Sequence, residues 1–175
     1  MGRQMNCNRS PDLIAPAAHK PAAAITRSSA YLHPGHVVTS AEPCEVTTIL
    51  GSCVSVCMWD PVLRVGGVNH YLLPFRRASG QSSPRFGNVA IARLIEELGA
   101  LGSAKKRLQA KVFGGAYIFP GFKTIDDHLG ANNAEFALQA LGEEGIPVIS
   151  HDIGGPQGRK LRFHTDTGDA WVKLI

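Results

Sequence analysis

The chain has 175 residues, 44% of them hydrophobic and 18% charged, enough for one domain with its own core. No apolar run approaches the roughly 20 residues of a membrane-spanning helix, which argues against membrane insertion. The net charge of +4 is concentrated at one end: residues 1–30 hold Arg3, Arg9, Lys20 and Arg27 against a single acid, Asp12. A nearly neutral body whose densest basic run is Lys105-Lys106-Arg107, with no aromatic residue interleaved, argues against nucleic-acid binding.

Residues 1–30 are rich in Ala, Pro, Ser and Asn and hold few large apolar groups. Such a segment cannot bury enough surface to offset its ordering entropy, so a disordered tail is expected, with the folded domain over 31–175. Its acid-poor composition also fits a transit peptide. Pro, His and Lys interrupt the Ala-rich stretch 14–25, which excludes a secretory hydrophobic region, and Asn6 stands where a myristoylation signal needs Ser or Thr. The four cysteines (Cys7, Cys44, Cys53, Cys57) form no C-x-x-C pair, so free thiols in a reducing, cytoplasmic setting are expected.

Strands are predicted at His36–Ser40 and Glu45–Leu50 from their Val, Thr and Ile content. Cys53–Trp59 and Gly67–Leu73 flank a turn opened by Asp60-Pro61 and read as a hairpin. Further strands are expected at Arg107–Phe113, Pro147–Ser150, Lys160–Thr165 and Ala170–Ile175, the last two joined by the turn Asp166-Thr167-Gly168-Asp169. One helix is predicted over Val89–Leu98, capped by Asn88, and a second over Ala134–Leu141, capped by Asn133. Many strands with two separated helices predict an α/β layered sandwich with mixed or antiparallel sheets.

The segment Leu50-Gly51-Ser52-Cys53 concentrates the chemistry. A strand ends at Leu50, Gly51 and Ser52 break it, and Cys53 opens the next. Such a break can turn the N–H groups of Ser52 and Cys53 outward, where they can hold an oxyanion and bias the thiol toward thiolate. A cysteine in an apolar strand is ordinarily a small buried hydrophobe, and Cys57, mid-strand with no such loop, reads that way. If Trp59 pairs with Gly66 across the hairpin, Cys53 lies opposite Leu72 and His70 becomes its diagonal neighbour on the same face. A shift of one residue would move His70 to the other face. The hydroxyl of Thr47 could then hold the imidazole, although a β-branched residue also suits a strand for its own sake. Gly114-Gly115 and Gly154-Gly155 read either as loops passing close to the site or as tight turns. The remaining histidines show no metal-site spacing, and no cofactor is expected.

Taken together these segments resemble the CheD family of chemoreceptor glutamine deamidases. The resemblance rests on Leu32-His33-Pro34-Gly35, Thr47 through Cys53, Asp60-Pro61, Gly66-Gly67 with His70, and Arg85-Phe86-Gly87-Asn88. It continues through Phe113-Gly114-Gly115-Ala116, Gly130 with Asn133, and Gly154-Gly155 leading to Gly158-Arg159, so it spans about residues 31 to 175 in order. It implies conversion of selected receptor Gln side chains to Glu, with Cys53 as nucleophile, His70 as general base and acid, Thr47 as orienting third member, and Gly51 and Ser52 supporting the oxyanion. It implies a fold like the catalytic domain of deamidating toxins and, as substrate, the cytoplasmic helical region of chemoreceptors. In some bacteria such proteins also bind a CheC-type phosphatase. A peptidase or transamidase using the same dyad, or a non-catalytic adaptor, are the competing classes.

Overall fold

The structure, a computed structural model, describes residues 25–75, 82–117 and 129–175; the expected tail lies outside them up to residue 24. Nine strands and two helices follow in the order β1 (Ser28–Tyr31), β2 (His36–Ser40), β3 (Cys44–Leu50), β4 (Val54–Asp60), β5 (Val65–His70), α1 (Gly87–Ala100), β6 (Gln109–Gly114), α2 (Leu129–Glu143), β7 (Val148–Ile153), β8 (Arg159–His164) and β9 (Ala170–Leu174). They form two mixed sheets, ordered β1-β3-β8-β9 and β2-β5-β4-β6-β7. The expected mixed α/β architecture with two main helices is present.

Three layers result. Helix α1 packs on β2 and β5, and α2 on β4, β6 and β7, with the helices touching each other. Val54, Val56 and Met58 of β4 face these helices, where they meet Leu94, Leu98, Ala137 and Leu141. The opposite face of β4 and β5 presents Cys57 and Val68 to Leu50, Val46, Leu161 and Phe163 of the four-stranded sheet. A central strand buried on both sides reads as a continuous apolar run rather than an alternation, and β4 is such a strand.

The β4–β5 hairpin has the expected register, with Trp59 opposite Gly66 and Cys57 opposite Val68. Asp60 closes its turn by accepting the N–H groups of Val62 (2.9 Å) and Leu63 (3.2 Å), and Arg107 Nε donates to its other oxygen at 2.9 Å. The Asp166–Asp169 turn likewise joins β8 to β9.

Several boundaries differ from expectation. Order begins before Tyr31: β1 pairs in parallel with β3, and Arg27 forms a two-pronged ion pair with Asp166, both bonds at 2.8 Å. A tail composition hid this short edge strand, whose parallel pairing with β3 and ion pair to Asp166 are not local signals. Helix α1 starts at Gly87, so Asn88 lies inside its first turn; the carbonyls of Leu73 and Pro74 accept the first amides at 2.8 and 3.2 Å in place of a side-chain cap. Helix α2 starts at Leu129, which puts Asn133 inside it rather than at its cap. Gly130 permits this, because a Cβ there would collide with the carbonyls of Gly115 and Ala116. The largest difference concerns β3 and β4. Gly51-Ser52-Cys53 carries the chain from one sheet to the other, so Thr47 and Cys53 belong to different layers.

Candidate active site

Cys53 sits at the end of the layer between the sheets, half-buried against the cluster around Leu50, Val68 and Phe113. Val54 and Tyr71 exchange both backbone hydrogen bonds, at 3.2 and 3.0 Å, which carries the hairpin register past the end of β5. Cys53 therefore lies opposite Leu72, with His70 its diagonal neighbour on the same face, as the register argument requires.

His70 is 1% exposed and ends β5. Its Nδ1 lies 2.9 Å from Oγ1 of Thr48, and that hydroxyl donates its only proton to the carbonyl of Leu32 at 2.7 Å. A hydroxyl whose proton is already committed can only accept, so Nδ1 carries the proton and donates to Thr48. The lone pair of the neutral ring is then on Nε2, a buried atom with no hydrogen-bond partner among the described residues. This tautomer leaves Nε2 as the basic nitrogen of the ring.

The hydroxyl that reaches the His70 ring is that of Thr48, not Thr47. In β3 the buried side chains are Cys44, Val46, Thr48 and Leu50. Thr47 points the other way, beside Tyr31 and Arg162 on the outer face of the four-stranded sheet. There it borders a shallow depression of about 300 Å³ with Glu45, Arg162 and Trp171. The structure does not bring Thr47 to His70, and the period of two along a strand is the reason.

The three carbonyls of the crossing loop are all held from outside it. Ala116 N donates to Gly51 O at 2.9 Å, Gly115 N to Cys53 O at 2.8 Å, and Asn133 Nδ2 to Ser52 O at 3.0 Å. Among the described residues, the amides of Ser52 and Cys53 meet no carbonyl. The glycine pairs are thus more than turns. Gly114 adopts φ +109°, and a Cβ there would strike the carbonyl of Cys53. Gly154 N donates to Gly114 O, and Tyr117 N to Gly155 O. Arg159, 4% exposed, anchors that second loop through Asp152 and the carbonyls of Gly154 and Gln157.

Burial governs the electrostatics. Desolvation pushes the Cys53 thiol above its ordinary value, opposed by a hydrogen bond from its own amide. Burial pulls His70 down to about 4, although the carbonyl of Leu32 favours the protonated ring. Burial disfavours the charged form of each group, the thiolate of Cys53 and the imidazolium of His70. Cys57 is fully buried, and burial raises its thiol much further. Among the described residues no cluster of His, Cys, Asp and Glu has metal-site geometry.

The family model for CheD chemotactic sensory transduction matches residues 72–174. A relative named probable chemoreceptor glutamine deamidase CheD 1, from Anaeromyxobacter dehalogenans (strain 2CP-C), is 47% identical over 165 residues, 94% of this chain and 95% of the relative. This chain belongs to the CheD family. The CheD relative from Trichlorobacter lovleyi, named a probable chemoreceptor glutamine deamidase, is 43% identical over 138 residues, covering 79% of this chain and 85% of its own. A crystal structure of Bacillus licheniformis hypothetical protein YfiH superposes with a TM-score of 0.42 at 14% identity, over 66% of this chain and 49% of that one, too slight a likeness to bear on the fold. The CheD family model begins after His70, but the first relative leaves only a few residues unmatched, so Cys53 and His70 fall within its span.

Two site residues escape the sequence reading. Thr48 was legible from the parity of Val46 and Leu50. Asn133 carried no comparable signal, since an Asn before an apolar helix reads first as a cap.

Proposed function

We propose that this protein is a cytoplasmic protein-glutamine deamidase that converts Gln side chains in the helical cytoplasmic region of chemoreceptors to Glu, and so tunes chemotactic adaptation. Family membership supports the substrate class, because the relatives carry that name. The observation that carries the mechanism is the committed proton of Thr48, which leaves His70 Nε2 as a free base on the face that holds Cys53.

The reaction follows from that arrangement. His70 Nε2 takes the thiol proton as Cys53 Sγ attacks the Gln carboxamide carbon. Charge develops on the carboxamide oxygen, and the amides of Ser52 and Cys53, which meet no carbonyl among the described residues, are its donors, each worth about 10²–10³ in rate in comparable sites. The imidazolium returns the proton to the departing nitrogen, which leaves as ammonia. His70 then deprotonates water, whose oxygen attacks the thioester; Glu forms and the Cys53 thiol is restored. A buried imidazole well below its ordinary value gives up that proton readily. Thr48 keeps the ring in one tautomer throughout and acts as a positioning residue. No step calls on a cofactor. The reading carries with it the fold of the catalytic domain of deamidating toxins and a CheC-type phosphatase as partner.

Mass spectrometry of chemoreceptor cytoplasmic fragments tests the reading. The parent protein should add about one dalton at selected Gln residues, and Cys53→Ala should add none while keeping its thermal unfolding midpoint. Unchanged conversion by Cys53→Ala would remove the nucleophile assignment, and cleaved backbone would replace the deamidase with a peptidase.

A further inference from the structure

Asn133 is completely buried in the first half of α2, yet its side chain contributes nothing to the helix. Its Nδ2 donates to two carbonyls from two strand ends, Ser52 at 3.0 Å and Leu72 at 2.9 Å. Those residues bracket the dyad: Ser52 precedes Cys53, and Leu72 lies opposite Cys53 in the hairpin register. Both partners are acceptors, so the amide orientation is settled, and Oδ1 is left buried with no partner among the described residues. The backbone carbonyl of Asn133 is independently held by the hydroxyl of Tyr71. A buried amide that leaves its own oxygen unpaired in order to grip two loop carbonyls is a costly arrangement for stability alone.

The geometry of the peptide unit gives the grip its meaning. The chain contains no cis peptide bond among the described residues, so the Ser52–Cys53 unit is planar and trans. In such a unit the C=O and N–H vectors point in opposite directions. Fixing the Ser52 oxygen on Asn133 therefore fixes the Cys53 N–H on the side away from α2. That amide is one of the two that meet no carbonyl. The oxygen of a carboxamide attacked by Cys53 has to lie within reach of that amide for the amide to hold it.

We propose that Asn133 is a positioning residue for the reaction: it clamps the Ser52 carbonyl and thereby aims the Cys53 N–H at the developing oxyanion. The inference rests on Cys53 being the nucleophile. Asn133 touches neither substrate nor thiol in this scheme; it acts through one peptide plane. Thiol alkylation by iodoacetamide forms no oxyanion, whereas amide attack does. Loss of the clamp should therefore separate the two reactions of the same sulfur.

The test compares parent, Asn133→Ala and Leu141→Ala, the last a cavity control buried in the same helix. Receptor-fragment deamidation and iodoacetamide labelling of Cys53 are followed well below each variant's unfolding midpoint. Asn133→Ala should lower kcat about 10²-fold, the scale of one oxyanion donor, with KM and the alkylation rate each within about threefold of parent. Leu141→Ala should lose stability but keep both rates. Equal losses of deamidation and alkylation in Asn133→Ala, or an unchanged kcat, would overturn the proposal. If Asn133→Ala does not fold, Asn133→Ser is read by the same criteria. Deamidation that persists in Cys53→Ala would instead sink the underlying mechanism, so the two failures are distinct.

Discussion

The five-stranded sheet has two buried faces, and they are built differently. Toward the helices, β4 offers Val54, Val56 and Met58 to an apolar cluster with Leu94, Leu98 and Leu141, the polar Asn133 being buried in the same helix layer. Toward the other sheet, equally buried positions hold Cys57, Ser55 and His70, with Thr48 facing them. Dryness is common to both; what differs is that the second layer opens at one end, where the chain crosses between sheets at Gly51–Cys53. The proposed chemistry lies at that end. The helix layer supplies rigidity, and the layer between the sheets supplies a low-dielectric wall with one reactive margin.

Mutations that respect or violate this division test it most directly. The largest effect is expected from His70→Gln, which should cut deamidation about 10²–10⁴-fold, as removal of a general base does. Its counterpart in the helix layer, Leu94→Ala, should cost about 2–5 kcal/mol of stability in denaturant titration and leave kcat of the folded fraction intact. A comparable kcat loss in Leu94→Ala would erase the distinction. His70→Gln should also alter acid stability. The native ring binds its proton only near 4, against an ordinary 6.5, so the unfolded chain holds more protons between those values. Stability therefore rises with pH through that window, and it is lost as pH falls from 6.5 toward 4, by up to about 3 kcal/mol. His70→Gln should flatten that slope. A decline below the ordinary carboxylate range should survive, because Arg27 holds the Asp166 carboxyl below its usual value, and that contribution disappears only on protonation.

A smaller effect separates the neighbouring threonines. Thr48→Val keeps the shape but loses the acceptor for Nδ1, and it should lower kcat about tenfold, the kinetic equivalent of about 1.4 kcal/mol for one orienting hydrogen bond. Thr47→Val, on the outer face, should leave kcat within twofold (roughly, an exposed substitution away from the site). The reverse order would restore Thr47 to the site. The smallest expected change is a matter of profile. Because burial raises the Cys53 thiol, its alkylation should climb through pH 9 without a plateau near neutrality, while Cys57 stays unlabelled in the folded protein. A plateau near pH 6 would reveal an ion pair.

The threonine pair also shows how far the sequence reaches. Strand positions and the β4–β5 register were legible because Val, Ile and Cys patterns and the Asp60-Pro61 turn are local signals. The Cys53–His70 relation followed from that register alone. Thr48 was within reach as well, since Val46 and Leu50 fix which side of β3 faces inward. Which sheet each strand joins was not legible: β3 and β4 are separated by three residues yet lie in different layers, and only the packing of α2 and β8 decides it. Asn133 and β1 were hidden for the same reason, because their partners are 81 residues away at Ser52 in one case and across a parallel pairing in the other.

The grip of α2 on the crossing loop has a consequence for synthesis. A ribosome makes Cys53 and His70 early, but the residues that hold the loop carbonyls come from 115, 116 and 133. During the intervening elongation the thiol is present without its aligned amide. On the proposed mechanism the growing chain carries an ordinary cysteine, and its amide chemistry waits for the long-range contacts to close. Truncated or stalled products should be inert toward glutamine, which confines the activity to finished molecules.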